Sequence, residues 1–340
     1  MLLPNLPTEI LLQILPHLTS HELAQLCLLN RAFSHVAFSI FSRALRLDYA
    51  YRDDRSLTQL GAVTNKLKHR SVDYLSNITI AHLSWSFSKA LRHQMMRILS
   101  LLPNLKTLHL KEHFAPLQAV YLPSQYRGNI EEDRYDFLLR SPSASSIRSL
   151  KIEDSRITAH DILIIFELGK LEHLSIEGFK DPIGIEPTFS VHSNLKSLSI
   201  SSSANPMGRH IDLILARVPK LKKFVWKFDV SPYFNLNELR TSLDVDKISA
   251  AVRPLRYTLE ELSIEMLRIE GGETFGTGLD FEGFEKLRYL RVSEEFIFGS
   301  YKKIDDRDFG RVLEEKLLKK LPRGLERLEV SFLIHFHTLS

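Results

Sequence analysis

Cysteine is nearly absent from this sequence: Cys27 is the only one in 340 residues. A single thiol forms neither an internal disulfide nor a thiolate metal cluster. The chain therefore does not depend on an oxidising compartment, and its first residues lack the basic and apolar segments of a secretory signal. We expect a cytoplasmic or nuclear location, or both.

Long apolar runs and a strong net charge are also missing. The longest apolar run, Ile162 to Phe166, is far shorter than the roughly 20 residues that cross a bilayer. The 45 Lys and Arg residues nearly balance the 41 Asp and Glu residues, which leaves a formal charge of +4. So small an excess makes a weak field over a chain of this length. We therefore expect neither a membrane nor a nucleic acid as partner.

Enzyme signatures are missing as well. The glycine-rich segment 271–278 lacks the Gly-Lys-Ser/Thr ending of a phosphate-binding loop and the dinucleotide fingerprint, which favours a flexible loop. His335 and His337 share one strand face without a third ligand nearby in the sequence, so a zinc site is not indicated. We predict no catalytic residue, no metal and no cofactor, and we expect that the chain is not an enzyme. The alternative is an enzyme whose titratable groups are brought into one pocket by the fold.

A small helical module is indicated over residues 1–45. Its first apolar residues recur at helical spacing: Ile10, Leu11, Ile14, Leu15 and Leu18. Thr19 and Glu22 form a capping box that begins a second helix. A module of this size buries little apolar surface by itself, so its apolar side chains are better satisfied against a partner.

A repeated unit then dominates the chain and decides the fold class. The unit is an apolar residue, two others, a second apolar residue, one other and a third apolar residue. It begins at these positions: Leu105, Ile147, Leu171, Leu195, Leu221, Leu259, Leu287 and Leu325. Leu75-Ile78-Ile80 is a candidate earlier copy. The shortest spacing between starts is 24 residues, within the range of about 20–29 that is typical of leucine-rich repeats.

The physical chemistry of the unit predicts a solenoid. Its last two apolar residues alternate, so they lie on one face of a short strand that only stacked neighbours can bury. Helical patterns fill the intervals: residues 88–102, 158–168, 209–218 and 305–321. We therefore predict an α/β fold, an irregular leucine-rich-repeat solenoid with parallel strands on its concave side and helices on its convex side.

Three insertions interrupt the rhythm of the repeats. They span residues 115–146, 229–256 and 270–285, and the second includes a helical pattern between residues 237 and 252. Insertions in repeat proteins map to loops. We expect solvated loops here, and a binding role for them is the alternative.

The N-terminal module resembles an F-box. The resemblance rests on Leu6-Pro7-Thr8-Glu9-Ile10 and on the leucine spacing that follows it. The order of parts, with degenerate leucine-rich repeats after the module, is similar to that of the F-box/leucine-rich-repeat proteins common in fungi. We expect an F-box-like module over residues 1–45, a linker or solenoid cap over residues 46–70 and the solenoid over residues 71–340.

This resemblance implies a function that composition alone does not. F-box/leucine-rich-repeat proteins bind a Skp adaptor and, through it, a cullin, while the repeats hold a protein substrate for ubiquitination. By position, the implied adaptor-binding residues are Leu6, Pro7, Glu9, Ile10, Ile14, Leu15, Leu18 and Leu26. The alternative is an interaction scaffold outside ubiquitin transfer, because the sequence does not encode whether a cullin joins.

Substrate contacts are expected at the outward strand positions of the solenoid, opposite the buried face. Eight candidates occupy such positions: His109, Lys151, His173, Glu177, Lys227, Glu265, Tyr289 and Arg291. Tyr289 with Arg291 is the expected hot spot, because Tyr and Arg anchor interfaces disproportionately. The signs of these charges are mixed, so they indicate no preference for an acidic or phosphorylated substrate. The substrate itself is not identified by the sequence.

Overall fold

The computed structural model describes the chain as two compact units. The first consists of Met1–Leu122 with Arg140–Ile147, and the second of Pro123–Leu139 with Arg148–Ser340. Within them the described residues are 10, 14, 15, 18, 22, 25, 26, 43–49, 54–86, 89–113, 135–154, 157–179, 193–202, 211–228, 242–266, 273–298 and 321–331.

Three parallel strands form the sheet of the first unit. They are β1 (Ala44–Tyr49), β2 (Ile80–Ser86) and β3 (Thr107–His113), with β2 between the other two. The connecting helices are α1 (Asp54–Lys68), α2 (Val72–Asn77) and α3 (Lys89–Leu99), and α1 packs against α3. β1 crosses the expected module boundary at residue 45, and α1 occupies most of residues 46–70, the expected linker or solenoid cap.

The predicted helix over residues 88–102 is confirmed as α3. The predicted apolar residues are at most 2 % exposed: Leu91, Met95, Ile98, Leu99 and, just beyond the helix, Leu102. Leu91, Met95 and Ile98 follow one another at intervals of four and three, so one stripe of the helix enters the core.

The candidate repeat copy Leu75-Ile78-Ile80 is wrong in register. Leu75 lies in α2, and Ile78, only 2 % exposed, occupies the first position of the unit instead. Ala81 and Leu83 pair with Leu108 and Leu110 of β3 and are the buried strand residues. The sequence pattern was ambiguous here. Leu75-Ile78-Ile80 and Ile78-Ala81-Leu83 both have two residues between the first and second members and one residue between the second and third.

Seven parallel strands build the sheet of the second unit, in the order β4-β5-β6-β7-β9-β11-β12. Their bounds are β4 (Ser149–Glu153), β5 (His173–Glu177), β6 (Ser197–Ser202), β7 (Lys223–Phe228), β9 (Glu261–Met266), β11 (Tyr289–Ser293) and β12 (Arg327–Ser331). Their registers align every repeat at the same position, so the predicted α/β repeat fold with parallel strands is confirmed.

The core of the second unit is made by the predicted repeat residues. In each repeat from β4 to β11 the two strand residues are at most 2 % exposed, as Leu150 and Ile152 are at 1 % each. Leu328 and Val330 of the last repeat are half-buried. Burial of three such side chains contributes about 4.5–9 kcal/mol per repeat before conformational entropy is subtracted.

Several helices cover this core. α5 (Ala159–Ile165) and α6 (Ile211–Ala216) confirm two predicted helices, and α7 (Val245–Val252) confirms the helical pattern in the second insertion. Thr158 and Asp161 form a capping box at the start of α5. The helix predicted over residues 305–321 lies almost entirely outside the described residues.

The insertions are more than the solvated loops we expected. In the first, α4 (Asp136–Arg140) begins beside the buried Tyr135, whose hydroxyl donates to the Asp154 carboxylate over 2.9 Å. The second and third contain β8 (Ser242–Asp244) and β10 (Glu273–Phe275), which pair in parallel. α8 (Glu294–Phe298) follows β11. The third insertion also buries three side chains: Leu279, Phe281 and Phe284.

No helix in the described ranges is long and apolar enough to cross a membrane.

Candidate protein-binding surfaces

Two isoleucines of the N-terminal module present apolar side chains to solvent. Ile10 is 39 % exposed and Ile14 is 42 % exposed, whereas the neighbouring Leu15 is only 2 % exposed. Both isoleucines have helical conformation and lie four residues apart, which is the spacing of neighbours on one face of a helix. Two exposed apolar side chains at this spacing are what an interaction surface would present.

The other predicted adaptor-binding residues divide into two groups. Leu18 and Leu26 are half-buried. Leu6, Pro7 and Glu9 lie outside the described residues. Their assignment to an adaptor interface stays a prediction.

The candidate substrate residues of the second unit lie on the strand face opposite the core, which we call the open face. It carries the positions that alternate with the buried strand residues in β4–β7, β9, β11 and β12. At one side of this face, the Lys151 ammonium lies 2.8 Å from a carboxylate oxygen of Glu153 and 2.8 Å from one of Glu177. These two hydrogen bonds raise the pKa of Lys151. The exposed His173 precedes Glu177 on β5.

A second ionic cluster occupies the other side of the open face, around Glu265. The side chain of Glu265 is only 5 % exposed, and its carboxylate lies 2.9 Å from the Arg291 guanidinium and 3.4 Å from the Lys227 ammonium. The Ser263 hydroxyl donates to the same carboxylate over 2.9 Å. These partners compensate the cost of burying a charge.

Tyr289 extends this cluster toward β12. Its hydroxyl donates to the Glu329 carboxylate over 3.0 Å, and the Arg327 guanidinium lies 5.4 Å from the centre of its ring. Burial raises the pKa of Tyr289, and the hydrogen bond to Glu329 adds to that shift. The same hydrogen bond lowers the pKa of Glu329. The expected hot spot, Tyr289 with Arg291, is therefore already engaged by the neighbouring carboxylates.

Besides the ion pair between Lys223 and Glu261, the open face thus holds two separate clusters rather than one site. β6 lies between them in the sheet and presents Ser197, Ser199 and Ser201. Serine side chains are too short to connect the two groups. Among the described residues, no group of three or more His, Cys, Asp or Glu side chains could hold a metal ion.

The N-terminal segment matches a known protein family. Residues 3–47 match the family model described as F-box-like. The chain carries an F-box-like domain. The match confirms the resemblance inferred from the sequence, and it contains both exposed isoleucines. The match covers a small part of the chain and does not extend into the repeats.

Comparison with curated proteins finds no match to this sequence. Among solved structures, the chain is similar to one titled "Crystal structure of Rad7 and Elc1 complex in yeast", with 13 % sequence identity and a TM-score of 0.31. The alignment covers 82 % of this chain and 63 % of the chain in that structure, so this chain spans less than two thirds of the length of the other.

His109 lies in the first unit, where it meets a residue that the sequence analysis missed. The Nδ1 atoms of His82 and His109 are 3.3 Å apart, and their rings meet edge to face with centroids 5.4 Å apart. Burial lowers the pKa of His82, and the charges of Arg46 and His109 lower it further. His82 was missed because the repeat register assigned to β2 was wrong.

We expect His82 to make folding depend on pH. The ordinary pKa is 6.5 and the folded value is lower, so the unfolded chain binds more protons between the two. The contribution of His82 is therefore fully present above the ordinary pKa and is lost as pH falls from that value through the lower, folded pKa. Urea unfolding of the wild type should show stability falling between about pH 7 and pH 5.

The variant His82→Gln should lose part of that slope. Its exposed counterpart His173→Gln, which changes one imidazole of the second unit, serves as the control. An unchanged slope in His82→Gln, or an equal loss of slope in His173→Gln, would contradict this prediction.

Proposed function

We propose that this protein is a substrate receptor of an SCF-type ubiquitin ligase. Its F-box-like domain would dock on a Skp adaptor, and its repeats would hold the protein to be ubiquitinated. The observation that carries the proposal is the F-box-like match over residues 3–47, with Ile10 and Ile14 exposed within it. An F-box-like domain implies a Skp-type adaptor as partner.

The exposed isoleucine pair supplies the chemistry for adaptor binding. Burial of one isoleucine against a partner is worth about 1.5–3 kcal/mol. Two of them on one helix turn therefore account for a large share of a stable interface. The half-buried Leu18 and Leu26 would enlarge the same apolar contact.

The role proposed for the repeats is recognition and positioning, without bond chemistry by this chain. The sheet of the second unit is a stiff support, because each of its seven strands is hydrogen-bonded to parallel neighbours. A stiff receptor that binds a substrate beside the ubiquitin thioester raises the effective concentration of its lysines. The open face and the groove described below are the surfaces available for that contact.

Co-purification with a Skp adaptor tests the proposal. The double variant Ile10→Asp/Ile14→Asp should bind the adaptor more than about 100-fold more weakly than the wild type, because two apolar contacts are lost and two charges face the interface. The exposure of both side chains means that the domain should still fold. Circular dichroism should therefore show unchanged helix content.

The matched control is Val72→Asp. Val72 is also an exposed apolar residue, at 75 %, but it lies in α2 of the repeat region. The Val72→Asp variant should bind the adaptor as the wild type does. A folded wild-type chain that forms no adaptor complex would overturn the proposal. If the adaptor complex forms but recruits no cullin in gel filtration, the protein is an interaction scaffold rather than a ligase subunit.

A further inference from the structure

A groove of about 560 Å³ runs across the side of the second unit where the strands begin. Its lining comes from two rows of equivalent repeat positions. The outer row stands three residues before each strand: Lys170, Asn194, Lys220, Thr258 and Lys286. The inner row stands one residue before each strand: Arg148, Glu172, Lys196, Lys222 and Glu260.

The backbone holds the inner row at a regular spacing. The Lys196 amide donates to the Glu172 carbonyl over 2.8 Å, and the Lys222 amide donates to the Lys196 carbonyl over 2.8 Å. The Glu260 amide in turn donates to the Lys222 carbonyl over 2.7 Å. Consecutive positions of the inner row are therefore one strand spacing apart, about 4.8 Å.

The outer row follows the same succession of repeats: the Asn194 side chain donates to the Gly169 carbonyl over 3.4 Å, and the Thr258 hydroxyl donates to the Pro219 carbonyl over 3.3 Å. The groove is a pre-formed feature of the sheet edge.

The inner row largely neutralises itself. The Glu172 carboxylate lies 3.3 Å from the Lys196 ammonium and 3.6 Å from the Arg148 guanidinium. Glu260 accepts a 2.8 Å hydrogen bond from Lys222, which is the main cause of its lowered pKa. The pairs fix the positions of these side chains and leave little net charge for a ligand.

The outer row, by contrast, contains cations and no acid. Lys170, Lys220 and Lys286 are exposed, with the neutral Asn194 and Thr258 between them. Lys220 donates to the Asn194 side chain over 3.3 Å. Within the part of the chain that the structure describes, none of the three lysines forms an ion pair. They make the outer row of the groove positively charged, although the charge of Lys286 also helps to lower the pKa of Glu260.

The spacing of the three lysines indicates the shape of the ligand. They stand on alternate repeats, so the backbone positions of successive lysines are about 9.5 Å apart. A polyproline II segment has three residues per turn and rises about 3.1 Å per residue, so every third side chain lies on one face about 9.3 Å from the last. In a β-strand, side chains three apart point to opposite faces. The spacing of the lysines therefore matches a polyproline II segment and does not match a β-strand.

We propose that this groove binds an acidic peptide segment of a partner protein, held in polyproline II conformation with Asp or Glu at every third residue. Each carboxylate meets one lysine of the outer row. Nucleic acid fits less well, because a duplex brings one phosphate charge per roughly 1.7 Å, whereas the lysines of the outer row stand on alternate repeats. The binding does not depend on the F-box-like domain, so its outcome is independent of adaptor binding.

The test is fluorescence anisotropy with the full chain and a labelled peptide of four Glu-Pro-Pro repeats. We expect saturable binding that weakens with added salt, and no comparable binding of the Gln-Pro-Pro version. A peptide with the same four glutamates spaced by single prolines should bind more weakly. Lys170→Gln/Lys220→Gln/Lys286→Gln should bind the first peptide about tenfold more weakly, since three exposed ion pairs are lost.

A charge-matched variant separates the groove from net charge. Lys66→Gln/Lys68→Gln/Lys106→Gln removes three exposed lysines of the first unit and should bind the peptide as the wild type does. The proposal is overturned if the peptide does not bind at millimolar concentration, if both triple variants lose affinity equally, or if the spacing of the glutamates has no effect. Tighter binding of an oligonucleotide with four phosphates would overturn it in favour of a nucleic-acid partner.

Discussion

Replacing Trp226 by alanine is expected to destabilise the second unit by about 3–5 kcal/mol. Trp226 is 2 % exposed in β7, and its ring centroid lies 6.3 Å from that of Phe224. It pairs in register with Ile200 of β6 and Ile264 of β9, both fully buried. Alanine would leave a large cavity in the middle of the sheet, where strands on both sides limit relaxation.

The adjacent residue provides the control for this prediction. Val225 lies on the open face of the same strand and is half-buried. Val225→Ala should cost much less than Trp226→Ala, at about 1 kcal/mol. Urea unfolding followed by far-UV circular dichroism compares the two variants with the wild type. Equal losses would show that Trp226 does not fill the core of this sheet.

The repeated unit could be found from the sequence because burial imposes its spacing. Each strand must place two apolar residues on one face, and a third enters the core from the preceding turn, as Leu195, Leu198 and Ile200 do. Parallel stacking then follows, since no single repeat buries that face alone. The helices α3, α5 and α6 were found from the same principle at a period of 3.6 residues.

The register of β2 shows where this reasoning fails. The intervals of the repeat are satisfied by Leu75-Ile78-Ile80 as well as by Ile78, Ala81 and Leu83. Alanine is a weak signal in a sequence pattern, yet Ala81 is fully buried opposite Leu108. A wrong register moves every side chain of the strand to the other face. That error concealed His82.

The ionic clusters of the open face could be predicted only in part. The positions of Lys151, Lys227 and Arg291 follow from strand alternation. Their partners depend on which strands are neighbours, and β7 pairs with β9 because β8 belongs to a separate sheet. The distance in sequence between Lys227 and Glu265 contains no signal for that pairing. The burial of Glu265 required the structure.

The third insertion was predicted as a flexible loop because its glycines suggested freedom, and the structure gives them another role. Gly276 and Gly278 have φ values of +117° and +97°. Such values are accessible to glycine and rare for other residues. They let the chain turn so that Leu279 and Phe281 enter the core.

Replacing Gly278 by alanine should therefore destabilise the second unit by about 3 kcal/mol or more. An added Cβ would stand 2.2 Å from the carbonyl oxygen of Ile297. The neighbouring Leu279 amide donates to the Phe296 carbonyl over 2.6 Å, so the two segments cannot separate without loss of that bond. Both the positive φ and the backbone contact oppose the methyl group, and neither can be relieved by a side-chain rotation.

Gly169→Ala is the matched control, because an added Cβ at this position of the same unit meets nothing within 4 Å. Gly169→Ala should change the free energy of unfolding by no more than about 1 kcal/mol. The change is stabilising where the lower conformational entropy of the unfolded chain dominates. Thermal unfolding of both variants against the wild type measures the difference. A Gly278→Ala variant as stable as Gly169→Ala would mean that residues 276–284 do not pack against α8. The third insertion would then be the solvated loop that its composition indicates.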